Sequence, residues 1–212
     1  MTRRQALAMA GFCLGSGSAC LARKPLPVSF SEINRSYKPE DYDEVLERWT
    51  RHGKLVRDIG TVFEMWVIYK SWDYRQAFIE QYVSAYRLGD DRRRELRAAE
   101  LAASRAAHQF VVIAQSTDYR WNDLEEAESP WRVSLLDGRG GSMPPTALEV
   151  EKLPKLFEMR FYPRTTDFSK TYTLTFARTG PEADAAFAGP PTAGLTLRVA
   201  GPLGMAETTW KS

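Results

Sequence analysis

Thr171-Tyr172-Thr173-Leu174-Thr175-Phe176 and Leu195-Thr196-Leu197-Arg198-Val199 alternate polar and apolar side chains residue by residue. Successive side chains of a strand point to opposite faces, so each run offers one face to a core and one to water. Two such runs predict antiparallel sheet covered on one side. Working outward, further short strands are predicted over 108–115, 131–136, 146–153, 156–162 and 205–210. Gly and Pro turns divide them, and Asp137-Gly138 opens one turn. Strands at this spacing predict an α+β chain that is mainly an antiparallel β-sandwich, Ig-like in build. Residues 179–194, rich in Gly, Pro and Ala, read as a mobile surface loop.

The N-terminal half carries a different period. Tyr42, Val45, Leu46 and Trp49 form a helical stripe, which predicts an N-terminal helix over 39–53. Pro39 suits its first position, Glu40, Asp41 and Asp43 suit the positive end of its dipole, and Gly53 closes it. The run 61–69, rich in β-branched and aromatic residues, predicts a long strand within 54–71, buried on both faces. Asp73 then caps a predicted helix over 74–87, with Tyr74, Phe78, Tyr82 and Tyr86 on one face. Gly89 ends that helix, and Asp90 caps a second over 91–108 with Leu96, Ala99, Ala103 and Ala106 along its inner side. The two helices form a hairpin inserted at about 73–108 in a single domain spanning 38–212.

The first twenty residues are built otherwise. Arg3 and Arg4 precede an apolar run over 6–14, too short to span a bilayer, and Gly15 to Ala19 are small or polar. This pattern predicts a signal peptide over 1–19. Thr2-Arg3-Arg4-Gln5-Ala6-Leu7 resembles a twin-arginine signal, and the general secretory route stays open. Gly17-Ser18-Ala19-Cys20 resembles a bacterial lipoprotein box, with ordinary cleavage after Ala22 as the other reading. The lipoprotein resemblance implies lipid on Cys20, a tether over 20–37, and residence in the cell envelope at the periplasmic face of the outer membrane. Arg23 and Lys24 would add weak attraction to anionic head groups. The order of a long strand, an aromatic helix and a Trp-led strand ending in Asp-Gly also resembles uncharacterised bacterial envelope lipoproteins over 55–210. No activity comes with that likeness.

Removing residues 1–19 takes two of the 29 basic residues and none of the 27 acidic ones, leaving a neutral chain. The electrostatic footprint of a nucleic-acid binder is therefore missing. Both cysteines, Cys13 and Cys20, lie in the leader, so the remainder has no disulfide, thiolate site or thiol nucleophile.

Candidate chemistry is sparse. His52 and His108 stand apart without partners at ligand spacing and read as helix-end residues. Asp118, Asp123, Glu125, Glu126 and Glu128 lack a calcium-loop order and read as a solvated stretch. Arg92, Arg93, Arg94 and Arg97 offer a possible contact to a partner or to phosphates, against a salt-laced helix face shared with Asp90, Asp91, Glu95 and Glu100. The loop 137–142 is glycine-rich without phosphate-loop spacing. Trp66, Trp72, Trp121 and Trp131 could line a sugar or peptide site, or simply pack. No catalytic set, metal site, cofactor or small-molecule ligand is identified. These readings predict a membrane-anchored envelope component that binds or assembles with an envelope protein. The alternative is an envelope hydrolase with a noncontiguous carboxylate site.

Overall fold

A computed structural model of the chain describes residues 25–178 and 194–211. The predicted signal peptide with Arg3 and Arg4, the predicted lipid-bearing Cys20, and all but the last residue of the predicted loop 179–194 lie outside the described residues.

Four helices and two antiparallel sheets make up the described part, an α+β fold that is mainly β, as the alternating runs predict. The helices are α1 (Asp41–Trp49), α2 (Trp72–Ala85), α3 (Asp90–Ala106) and α4 (Lys155–Phe161). The strands are β1 (Thr50–Arg57), β2 (Gly60–Tyr69), β3 (Ala107–Ser116), β4 (Arg132–Asp137), β5 (Ser142–Met143), β6 (Ala147–Val150), β7 (Lys170–Ala177), β8 (Gly194–Gly201) and β9 (Gly204–Lys211). One sheet has the order β1-β2-β3-β7-β6 and the other β5-β4-β8-β9. This order does not by itself give the immunoglobulin-like build, because β1, β2 and β3 follow one another as a meander within one sheet.

Register sorts the side chains of the five-stranded sheet. His52, Trp66 and Ile113 are opposite one another across β1, β2 and β3, and share the outer face. Tyr69 and Phe110, paired on the inner face, meet the other sheet through Trp210, at ring distances of 6.2 and 5.4 Å. Phe63 meets Trp131 at 4.8 Å. All five of these inner aromatics are buried, and such pairs stabilise beyond the area they remove from water. Where β1 crosses β9, a Cβ on Gly53 would lie 2.9 Å from the Glu207 carbonyl oxygen. Only glycine lets the two backbones approach so closely.

Several expected elements differ. The N-terminal helix stops at Trp49, and the chain from Thr50 pairs with β2, so Gly53 is a strand residue rather than a helix stop. The long strand over 54–71 is therefore the second arm of a hairpin. The predicted strand over 156–162 is helix α4, because Phe157 and Phe161 lie on one helical face and meet α2. Ser71, not Asp73, caps α2 by accepting from the Tyr74 amide at 3.1 Å. Gly89 occupies the N-cap of α3, with Asp90 in its first turn. The helical hairpin lies where expected, between β2 and β3. Residues 25–37 of the predicted tether run along the body, with Val28 and Tyr37 buried and the Val28 amide donating to the Lys211 carbonyl at 3.0 Å.

Candidate functional site

A cleft of about 530 Å³ opens on the outer face of the five-stranded sheet, between α1 and the segment 159–164. Its floor is built by strand register. Trp66, Ile68 and Ile113 project outward from β2 and β3, and the two isoleucines are buried. The His52 ring stacks on Trp66, with centroids 4.9 Å apart and planes at 20°. His52 Nε2 lies 2.7 Å from Glu64 Oε1, and Gln115 donates to the other oxygen of Glu64 at 2.8 Å. Thr166 donates in turn to Gln115 at 3.1 Å. A polar chain therefore fixes the tilt of the imidazole against the indole.

The walls carry opposite charge. Asp43 and Glu47 come from α1, four residues apart on one face. Arg160 and Arg164 come from α4 and the loop after it. Arg160 reaches Asp43 at 3.7 Å across the cleft mouth. Met159, two-thirds exposed at 66 %, lines the same side. Beneath the α4 wall, the buried Tyr42 hydroxyl donates to the Phe161 carbonyl at 2.7 Å and so pins α4 to α1. Burial pushes the Tyr42 hydroxyl far above its ordinary range, with only partial relief from Tyr74. It stays a donor at every physiological pH.

Behind α1 lies a second polar cluster with a different character. Asp73, 2 % exposed, accepts from Trp49 Nε1 at 3.0 Å, from Arg48 at 3.2 Å and from the Tyr37 hydroxyl. Burial raises its carboxyl above the ordinary value, and Arg35, 3.9 Å away, opposes that rise. Every partner belongs to the chain itself, so this is a structural knot joining the N-terminal segment, α1 and α2. Arg75 forms another: its buried guanidinium pairs with Glu100 and donates to Gln109 Oε1 at 2.8 Å and to the Lys70 carbonyl at 2.7 Å.

The residues singled out from sequence fall in scattered places. His52 is an exposed strand residue in the cleft, not a helix-end cation, because β1 begins before it. His108 is buried in β3, with Nδ1 3.0 Å from the Tyr69 hydroxyl, rather than partly exposed at a helix end. Arg92 pairs with Glu95 at 2.9 Å, Arg93 with Asp90 at 2.6 Å and Glu80 at 3.4 Å, and Arg94 with Asp91. Arg97 donates at 3.0 Å to the Gln76 carboxamide oxygen, in the amide orientation that also accepts from Trp72. The run is thus laced to its own helices. Asp118 is held by Arg120, which lowers its carboxyl pKa. Glu125 is raised by burial but brought below its ordinary value by Lys170, at 2.6 Å, and Tyr172, at 2.9 Å. Glu126 and Glu128 are exposed, and Asp123 accepts from Ser129 at 3.1 Å. Asp137 closes the glycine-rich turn by accepting from the amides of Arg139, at 3.0 Å, and Gly141, at 2.7 Å. Among the four tryptophans, Trp66 alone lines the cleft. Arg160 and Arg164 carried no signal in sequence, because neither belongs to a run or a motif.

Among the described residues, no group of three or more His, Cys, Asp or Glu could hold a metal ion, and no helix is long and apolar enough to cross a membrane. No protein family, no curated protein and no solved structure matches this chain.

Proposed function

We propose that the chain is an exported envelope lipoprotein, held to the membrane through Cys20, whose body is a binding component with its ligand site in the outer-face cleft. The cleft carries the reading: about 530 Å³ lies within the range of roughly 300–1,000 Å³ typical of small-molecule sites. It combines an apolar floor with a few convergent polar groups, which is the composition that orients a small ligand. The leader pattern of Arg3, Arg4 and Cys20 supports export and anchoring. Arg92, Arg93 and Arg94 lie in exposed i,i+3 pairs on α3, away from the residues that line the cleft, so the cleft and not α3 supplies an enclosed surface.

The hydrolase alternative draws on a single arrangement, the His52–Glu64 pair in the cleft. A carboxylate that orients an imidazole is a general-base geometry. Against it, the hydroxyl of Thr50 is turned away, donating to the Leu46 carbonyl at 2.6 Å.

Native mass spectrometry of the full chain released gently from envelope membranes tests the reading. A bound small-molecule mass on the native protein, absent from folded Trp66→Leu, is the expected result. A clean apo mass for both, over several growth conditions, would sink it. Turnover of envelope esters that disappears in His52→Gln would move the assignment to the hydrolase.

A further inference from the structure

We infer that the cleft takes an organic anion with a flat aromatic or aliphatic body: one carboxylate, sulfonate or phosphate head on an apolar frame. The inference rests on the reading of the cleft as a ligand site and names the class of ligand. Most charged side chains of the site are already engaged within the chain. Arg160 stands against Asp43 at 3.7 Å, and His52 is engaged with Glu64 at 2.7 Å. Arg51 donates its guanidinium N–H groups to backbone carbonyls, and Glu47 on the α1 wall is not free either. Arg164 differs. It is exposed on the α4 side of the cleft and makes no side-chain hydrogen bond or ion pair among the described residues. Its five N–H donors sit in a planar fork that matches a carboxylate or phosphate in two-point contact.

Arg160 adds to the same edge. Its pairing with Asp43 joins side chains that are 47 % and 75 % exposed. Such a surface pair holds weakly and yields to a better acceptor. The floor supplies the other half of the recognition. The indole of Trp66 is fixed by the His52 stack, with Ile68 and Ile113 beside it. Met159 lines the cleft on the arginine side, a flexible thioether that adapts to varied apolar shapes. A head on Arg164 and a body on Trp66 use both features at once. A neutral ligand would leave the guanidinium edge unused, and a small inorganic anion would leave the Trp66 indole uncovered.

The probes are 1-anilinonaphthalene-8-sulfonate, an aromatic anion, and N-phenyl-1-naphthylamine, its neutral counterpart. Both are titrated against the full chain in mild detergent, read by dye fluorescence and by quenching of tryptophan emission. The sulfonate is expected to bind more tightly than the amine. Arg164→Gln is expected to weaken the sulfonate about tenfold and leave the amine unchanged. Trp66→Leu is expected to weaken both, with far-UV circular dichroism showing that each variant is folded. Equal binding of the two dyes, or a sulfonate affinity indifferent to Arg164→Gln, overturns the anion assignment. If Trp66→Leu still weakens both dyes in that case, the cleft stands as a ligand site. Dye binding indifferent to Trp66→Leu overturns the cleft as well.

Discussion

At the scale of single residues, Asp73 and Gly53 hold positions set by what surrounds them. Asp73 of α2 is the shared acceptor for Tyr37 of the N-terminal segment and for Arg48 and Trp49 of α1. Asp73→Ala leaves buried donors without an acceptor and is expected to cost about 3 kcal/mol in urea unfolding. Its carboxyl is raised above 3.8 by burial. The folded state therefore binds that proton more readily than the unfolded chain. The stability from this group is complete below the ordinary value of 3.8 and is lost as pH rises through the raised one. Wild type is accordingly expected to lose ground to Asp73→Asn as pH climbs across that window. A difference independent of pH would contradict the assignment. At Gly53 the issue is space: a methyl there meets the Glu207 carbonyl at 2.9 Å and Thr208 Cγ2 at 3.0 Å. Gly53→Ala is expected to destabilise by about 1–3 kcal/mol, the usual range for overpacking, and a denaturation midpoint equal to that of wild type would refute the close approach.

At the scale of elements, packing decides where local pattern is silent or misleading. The buried positions of β1 are Arg51, Gly53 and Leu55, of which only leucine is apolar, so the strand leaves no alternating trace in sequence. Arg51 fits inside because its guanidinium donates to the carbonyls of Leu26, Arg48, Thr50 and Thr209. In β7 and β8 the buried set is almost wholly apolar, and the alternation is legible. The stretch over 156–162 misleads in the other direction. Phe157, Met159 and Phe161 alternate like a strand, yet Met159 is exposed and the two phenylalanines, 4.4 Å apart, stack toward Phe78. The cleft inherits this difficulty. Its floor needs the β1–β2 register that sets His52 on Trp66, and its basic wall needs α4 to be a helix, so no contiguous motif could announce it. A helix of seven residues has little stability alone and depends on its docking. Phe161→Ala is expected to cost about 3–5 kcal/mol. It should also flatten the near-ultraviolet signal of the aromatic cluster. If the variant unfolds at the same urea concentration as wild type, α4 is not docked as described.

At the scale of the whole molecule, the geometry sets which end would face a membrane. β1 runs antiparallel to β9, with Arg51 beside Thr209 and Leu55 beside Gly204. Lys211, which pairs with Val28, and the turn at Asp58–Ile59 therefore lie at opposite ends of this strand pair. Eight residues of strand separate the ends by roughly 27 Å. Leu26, 57 % exposed, sits at the Lys211 end, and Ile59 is fully exposed at the other. Six residue-to-residue steps lead from Cys20 to Leu26, a reach of at most about 22 Å. An anchor on Cys20 thus draws the Leu26 end toward the bilayer and leaves the 58–59 turn outward. No cysteine follows Cys20 in the sequence, so Leu26→Cys and Ile59→Cys each add a single labelling site to the body. Fluorophores at these positions, in vesicles carrying quencher-labelled head groups, are expected to be quenched strongly at 26 and weakly at 59. The reverse order would place the anchor elsewhere than Cys20, and loss of all quenching in the Cys20→Ala background is expected if that thiol alone holds the body to the membrane.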